Sequence, residues 1–229
     1  KMFAKFRKNT EYVRIIPLFE GVETQINAKK ILLNYLKLHK KIFHFNPSHL
    51  RVFIARSDPA MVSGMIPTVL ANKIILSDLK ELEEETGIRM FPIIGAGSLP
   101  FRGGLNPTVI KEFNGEYPGL NTITIQSAFR YDYPSSEVRQ AIKYYNKRHH
   151  GQSQNVSKTD RKKLIKLLAI FEKEYQSCLN KIVPDLQFLF GSFPRRRERH
   201  LHIGLLAYGR KPARPNCLGP LPLPVLFIL

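Results

Sequence analysis

Five short runs of apolar and β-branched residues, each bounded by turn-forming residues, punctuate the chain: Tyr12 to Leu18, Arg51 to Ala55, Phe91 to Gly95, Asn121 to Gln126 and Leu201 to Ala207. Their length and composition predict buried strands. Between them the apolar positions recur with helical spacing, over Thr24 to Leu38, Met61 to Glu85, Pro107 to Phe113, Ser136 to Arg148 and Lys158 to Ile182. In the last of these, Leu164, Leu167, Leu168, Phe171 and Tyr175 form one stripe, expected to face the core. Strands alternating with helices imply a parallel sheet whose faces are covered by the crossover helices, an α/β architecture.

The strand ends favour a barrel over an open nucleotide-binding sheet. No GxGxxG turn follows the first strand, which runs instead into Phe19-Glu20-Gly21. Polar residues gather just past nearly every predicted strand: Glu20, then Arg56-Ser57-Asp58, then Gly97-Ser98 with Arg102-Gly103-Gly104, then Gln126 and Arg130, then Tyr208 and Arg210. In a (β/α)8 barrel those positions share the rim on which active sites are built. Five strands are too few to close one, so residues 1–210 are expected to form part of a TIM-type barrel with additional helices. From Lys211 to Leu229 the chain holds five prolines and no acid, a spacing that neither strand nor helix tolerates. That stretch reads as an irregular tail, non-native or the product of a shifted reading frame, with an apolar end far too short to span a membrane.

Charge changes the picture little. The formal charge is +18, from 36 basic and 18 acidic residues, which raises nucleic-acid binding as a possibility. The bases are partly spread over helical faces (Lys29, Lys30, Lys37, Lys40, Lys41) and partly massed at Arg195, Arg196, Arg197, Arg199 and His200. The readings open at this level are a solvated surface, a funnel for anionic substrates, or a polyanion-binding module. Apart from Phe193 no aromatic residue interleaves with the arginine run, which counts against nucleic acid. Cys178 and Cys217 make neither a disulfide framework nor a CxxC pair, as in a reducing cytoplasm. The chain opens at Lys1 without leader character, and is expected to be an internal piece of a longer protein.

Two clusters can carry chemistry. Glu20 and Asp58 follow consecutive predicted strands, which lie about 5 Å apart across the hydrogen-bonding direction. They can share a divalent metal, since Mg2+ and Mn2+ take one or two carboxylates and complete their shell with water and substrate oxygens. The alternative is that Glu20 caps the next helix and Asp58, in Ser-Asp-Pro, starts another. The segment Ile93 to Gly104 places glycines and Arg102 directly after a strand. Glycine amides can approach an anion closely and an arginine can grip phosphate with two parallel hydrogen bonds, or the segment is a tight turn before a helix capped at Asn106-Pro107. No histidine cluster has metal-ligand spacing, and no Ser, His and Asp arrangement declares itself.

Five strings, in order, resemble the archaeal-type phosphoenolpyruvate carboxylases: Ile16 to Glu20 (IPLFE), Phe53 to Met61 (FIARSDPAM), Ile94 to Pro107 (IGAGSLPFRGGLNP), Thr124 to Tyr133 (TIQSAFRYDY) and Leu201 to Leu205 (LHIGL). The similarity covers about residues 10–210. It implies a (β/α)8 barrel with extra helices and a carbon–carbon lyase that converts phosphoenolpyruvate and bicarbonate into oxaloacetate and phosphate with Mg2+ or Mn2+. It further implies a cytoplasmic homotetramer. In the bacterial and plant branch the glutamate of Pro-Leu-Phe-Glu and the aspartate of Ser-Asp-Ser hold the metal; Glu20 and Asp58 occupy those positions. The second Arg-Gly-Gly element of that branch matches Arg102, implied to bind phosphate or carboxyphosphate. Arg56, Arg102 and Arg130 are then the arginines expected to assist catalysis, and Gly97, Ser98, Arg102, Gly103, Gly104, Gln126 and Arg210 to bind substrate. The implied reaction has bicarbonate attack the phosphoryl group, giving carboxyphosphate and pyruvate enolate, after which released CO2 is captured by the enolate.

The resemblance has gaps. The lysine that follows the metal-binding aspartate in the bacterial and plant branch falls at Met61, and the histidine before its glycine-rich loop falls near Ile94, differences the archaeal type shares. A Gln-His-Pro-Asp string with the family's histidine has no counterpart, so the isolated chain is expected to be inactive. After Arg210 the family's Leu-Pro-Arg-Ala segment is replaced by PARPNCLGPLPLPVLFIL, as a frameshift would leave it. The rivals at this level are another metal-dependent barrel enzyme acting on a phosphorylated substrate, and the polyanion module.

Overall fold

Four parallel strands, joined in the order in which the chain lays them down, form the sheet. The computed structural model describes residues 14–148, 153 and 155–191. β1 (Leu18–Phe19) pairs with β2 (His49–Ala55), β2 with β3 (Arg89–Gly95) and β3 with β4 (Thr122–Ile123). In β2 the period-two pattern is visible, with Leu50, Val52 and Ile54 buried and Arg51 exposed. Burial becomes continuous at the carboxyl ends, where Ile54-Ala55 and Pro92 to Gly95 are covered on both sides, as expected of a parallel sheet with helices against it.

The described part of β1 is shorter than the predicted run and begins where that run ends. Ile15, Ile16 and Leu18 are exposed, and the backbone joins β2 through Phe53 N donating to Pro17 O at 2.8 Å. Pro17 has no N–H, so it cannot return a rung to the ladder. The predicted fifth strand, Leu201 to Ala207, lies outside the described residues, as do Arg210, the Arg195 to His200 run and the 211–229 tail.

Three predicted helices are divided or displaced, each for a local reason. Thr24 to Leu38 becomes α1 (Val22–Ile26) and α2 (Ala28–Phe43). The break is Asn27, whose side chain donates to Glu23 O at 2.9 Å and so competes with the helical ladder. The helix predicted from Met61 becomes α3 (Ser57–Ser63) and α4 (Met65–Thr86), divided at Gly64 with φ 95°; a Cβ there would lie 3.0 Å from the Tyr175 ring. α5 (Ile110–Glu116) starts later than Pro107 because Asn106 Oδ1 accepts from the amides of Thr108 and Val109, closing a turn first. α6 (Ser135–Lys147) falls where its pattern placed it.

One core unites these elements. Val52, Ile54 and Ile94 of the sheet pack with Leu32 and Leu36 of α2, Ile75, Leu79 and Leu82 of α4, Phe113 of α5 and Tyr117 just after it, and Ala141 and Tyr145 of α6. Each fully buried aliphatic side chain contributes about 1.5–3 kcal/mol relative to exposure. Lys29 of α2 adds ion pairs to Glu81 and Glu85 of α4, half-exposed and therefore worth little.

α7 (Lys158–Gly191) crosses α4 and closes over α3. Its stripe is turned relative to the expectation: Leu168 is buried, while Leu167, Ile170 and Phe171 are exposed. Two polar anchors account for this orientation. Arg161 grips buried Asp78 of α4 with both terminal nitrogens and also donates to Ile26 O, and further along Tyr175 OH donates to Met61 O at 2.9 Å and Ser63 Oγ to Glu172 at 2.7 Å. Burial pushes the Asp78 carboxyl above its usual range, and Arg161 pulls it back. Replacing Arg161 with Met leaves Asp78 buried without that partner, a loss of about 3 kcal/mol at neutral pH. Without Arg161 the folded-state pKa of Asp78 rises further above its unfolded value, so the protonated form is favoured in the native state. The deficit therefore shrinks as pH falls into the carboxylate range, which urea unfolding at pH 7 and pH 4.5 would show.

Candidate functional site

The loop after β3 is built by its own hydrogen bonds. Gly97 N donates to Arg102 O at 2.9 Å and Leu105 N returns to Gly97 O at 2.8 Å. Inside this bracket a single 3-10 turn, Pro100–Arg102, is closed by Arg102 N to Leu99 O, Gly103 N to Pro100 O and Gly104 N to Leu99 O. Gly103 and Gly104 have φ 108° and 69°, the left-handed region that only glycine occupies without strain. The amides of Gly97, Gly103 and Gly104 are thus engaged within the loop, and what these residues supply is shape. A Cβ on Gly97 would lie 2.9 Å from both Cζ and Nε of Arg102, so its absence opens the space in which that guanidinium lies.

Arg102 is 7% exposed and is held from two sides. Its Nε donates to Ser57 Oγ at 3.2 Å, and a terminal nitrogen donates to Gln126 Oε1. Gln126 is itself fixed, its Nε2 donating to Thr124 Oγ1 at 3.0 Å, while Thr124 Oγ1 donates to Ala96 O at 3.3 Å. Three strand ends therefore converge on one guanidinium: Ser57 follows β2, Arg102 follows β3 and Gln126 follows β4.

Arg56 is buried beneath this loop. Its Nε donates to Tyr117 OH at 3.1 Å and a terminal nitrogen to Phe101 O at 2.7 Å, bracing the 3-10 turn from below. Burial pushes the Tyr117 hydroxyl up to about 12, so it stays neutral as the acceptor. Arg130 lies in a π-helical turn, Ala128–Asp132, exposed and with its guanidinium 5.0 Å from the Tyr131 ring. Ser98 is half-buried in the loop.

Both candidate metal ligands emerge from adjacent strands. Glu20 comes one residue after β1 and is exposed; Asp58 is half-buried in the first turn of α3, next to Ser57. Neither takes the capping position considered for it, since the residues that open α1 and α3 are Gly21 and Arg56. Beneath them sits an amide pair that the sequence did not flag. Gln25 Nε2 donates to Phe19 O at 3.2 Å and Ala55 O at 2.8 Å, and Asn72 Nδ2 donates to Gln25 Oε1 at 2.7 Å and Ala55 O at 3.2 Å. Gln25 and Asn72 go unmarked in the sequence, and Ser57 is marked there only as one of the polar residues after β2. Ser57 was legible as the neighbour of Asp58, whereas an amide on an apolar helix carries no positional signal. Among the described residues no group of three or more His, Cys, Asp or Glu could hold a metal. No helix there is long and apolar enough to cross a membrane.

Comparison with known proteins agrees with the resemblance. A family profile described as phosphoenolpyruvate carboxylase matches residues 4–224. The chain is 43% identical over 209 residues to the phosphoenolpyruvate carboxylase of Leuconostoc mesenteroides, covering 91% of this chain and 42% of that protein. It is 41% identical over 212 residues to that of Oenococcus oeni, covering 91% and 41%. With the protein of the same name from the archaeon Methanothermobacter thermautotrophicus it shares 40% over 198 residues, covering 86% and 39%. The chain thus spans about two fifths of the length of these relatives. On this profile match and these identities, the chain belongs to the archaeal-type phosphoenolpyruvate carboxylase family.

Proposed function

We propose that this chain supplies the metal- and phosphate-holding rim of a phosphoenolpyruvate carboxylase, which forms oxaloacetate and phosphate from phosphoenolpyruvate and bicarbonate. The observation that carries the proposal is the buried Arg102 guanidinium, aimed by Ser57 and Gln126 and set beside the turn that bears Asp58. Four parallel strands in chain order, with every described candidate residue past a carboxyl end, also suit one arc of a (β/α)8 barrel.

The donors fit a hard divalent cation. Glu20 and Asp58 offer carboxylate oxygens from adjacent strand ends, and Mg2+ or Mn2+ completes its shell with water and substrate oxygens. When bound, such a cation supplies Lewis-acid stabilisation of negative charge on substrate oxygens. The remaining work falls to the chain. Arg102 holds the phosphoryl group with parallel hydrogen bonds and stabilises the charge that develops as bicarbonate attacks phosphorus. Because it is already held in place and largely excluded from water, little reorganisation accompanies the reaction and the local dielectric is low, which strengthens the interaction. Arg56 and Tyr117 keep the turn that presents Arg102 in position.

Formation of oxaloacetate is the test, followed through coupled reduction to malate in a protein of full family length that carries this chain. Metal-dependent production from phosphoenolpyruvate and bicarbonate supports the proposal; phosphate release without oxaloacetate would assign the rim to another reaction. In the same assay, Gly97→Ala is expected to displace the Arg102 guanidinium and lower kcat/KM about 100-fold, with a thermal midpoint near that of the parent. A variant of unchanged kcat/KM would show that the Arg102 geometry is not limiting.

A further inference from the structure

We propose that Gln25 and Asn72 act as positioning residues that fix the separation of the Glu20 and Asp58 carboxylates, and thereby set the size of cation the rim accepts. The inference rests on the metal reading above. The backbone register of β1 and β2 ends at Phe19 opposite Ile54. One residue further on, the two chains part toward Glu20 and toward Arg56-Ser57-Asp58. At that point Gln25 provides the next rung from a side chain, its single nitrogen bridging Phe19 O and Ala55 O. Phe19 directly precedes Glu20 and Ala55 lies three residues before Asp58, so one amide ties together the two chain segments that lead to the candidate ligands.

The hydrogen-bond inventory leaves this arrangement no slack. Two carbonyls can only accept, so the Gln25 NH2 must face them, and its Oε1 is thereby turned toward Asn72. Asn72 then has to present its own NH2, which reaches Gln25 Oε1 and Ala55 O. All four amide hydrogens are assigned and both side-chain orientations follow. Gln25 and Asn72 are fully buried, one from short α1 and the other from the long helix α4. Asn72 Oδ1 accepts no hydrogen bond among the described residues. Neutral amides also suit the place: a lysine would add a positive charge beside the cation, and a carboxylate would face two carbonyls.

A rigid spacing discriminates cations by radius. Mg2+ demands oxygen distances of about 2.0–2.1 Å in a near-ideal octahedron, whereas Ca2+ tolerates about 2.3–2.6 Å in flexible geometry. Loosening the clamp should therefore weaken Mg2+ far more than Ca2+. The experiment measures Mn2+ binding to the full chain by the loss of free-ion paramagnetic resonance, with Mg2+ and Ca2+ affinities obtained by displacement. For Gln25→Met the Mg2+ affinity is expected to fall about tenfold while that of Ca2+ changes little; Asn72→Ser, which leaves both Gln25 donors, shifts the ratio the same way by less. Circular dichroism reports whether each variant folds. Folded variants with an unchanged Mg2+ to Ca2+ ratio, or with both affinities lowered equally, overturn the proposal. Loss of fold in both variants overturns it too, because the pair would then be a core element and not a device of the site. Asp58→Asn separates the two readings: if Mn2+ binds that variant as it binds the parent, the metal site itself falls, whereas loss of Mn2+ there with an unchanged ratio in Gln25→Met removes the clamp alone.

Discussion

In a protein of full family length that carries this chain, replacing Asp58 with Asn is expected to reduce metal-dependent oxaloacetate formation below detection while leaving the fold in place. The substitution preserves shape and removes one of the two anionic oxygens pairs offered to the cation. Asp58 is the second residue of α3, half-buried, where a negative charge also favours the helix terminus; losing that charge costs about 0.3–1 kcal/mol. A seven-residue helix held by Tyr175 and Glu172 of α7 withstands such a loss. Turnover is read through the coupled malate assay and fold through the thermal midpoint. Near-normal turnover with Mg2+ would remove Asp58 from the metal site.

Arg102→Lys is the second large effect, expected to lower kcat by about 10²–10³-fold, the loss typical of removing one preorganised donor of developing charge. Arg102 contacts Ser57 with Nε and Gln126 with a terminal nitrogen at once. A lysine ammonium is a single point of charge on a flexible stem and cannot hold both partners while gripping a phosphoryl group with two parallel bonds. Charge is conserved, so a loss of this size reports geometry. Steady-state kinetics of the variant at saturating substrate gives the comparison, and unchanged kcat would make the loop a structural turn.

The parts of the sheet and site that were legible in the sequence are those fixed by short-range rules. β2, β3 and α6 fall close to their predicted bounds because an apolar run bounded by turn residues, or a repeating helical stripe, marks the whole element. Glu20, Asp58, Arg102 and Gln126 can be placed after strands from the sequence, and the structure puts each of them past a strand end. What escaped was decided by single side chains acting across the fold. Asn27 breaks a helix through one bond to Glu23 O, and Gly64 breaks another where Tyr175, far along the chain, takes up the space. The stripe of α7 turned because Arg161 and Tyr175 anchor it by polar contacts, leaving Leu167 and Phe171 outward. Glycines expected to offer amides to an anion instead shape a loop around a guanidinium, a distinction that depends on hydrogen bonds between residues five and eight apart.

Binding of phosphoenolpyruvate to the full chain, measured by titration calorimetry with Mg2+ present or chelated, tests the rim most directly. If Glu20, Asp58 and Arg102 form one substrate-holding surface, phosphoenolpyruvate binds in the presence of Mg2+, and chelation, Asp58→Asn and Arg102→Lys each weaken it. Binding of equal strength with and without the cation and in both variants would contradict the account.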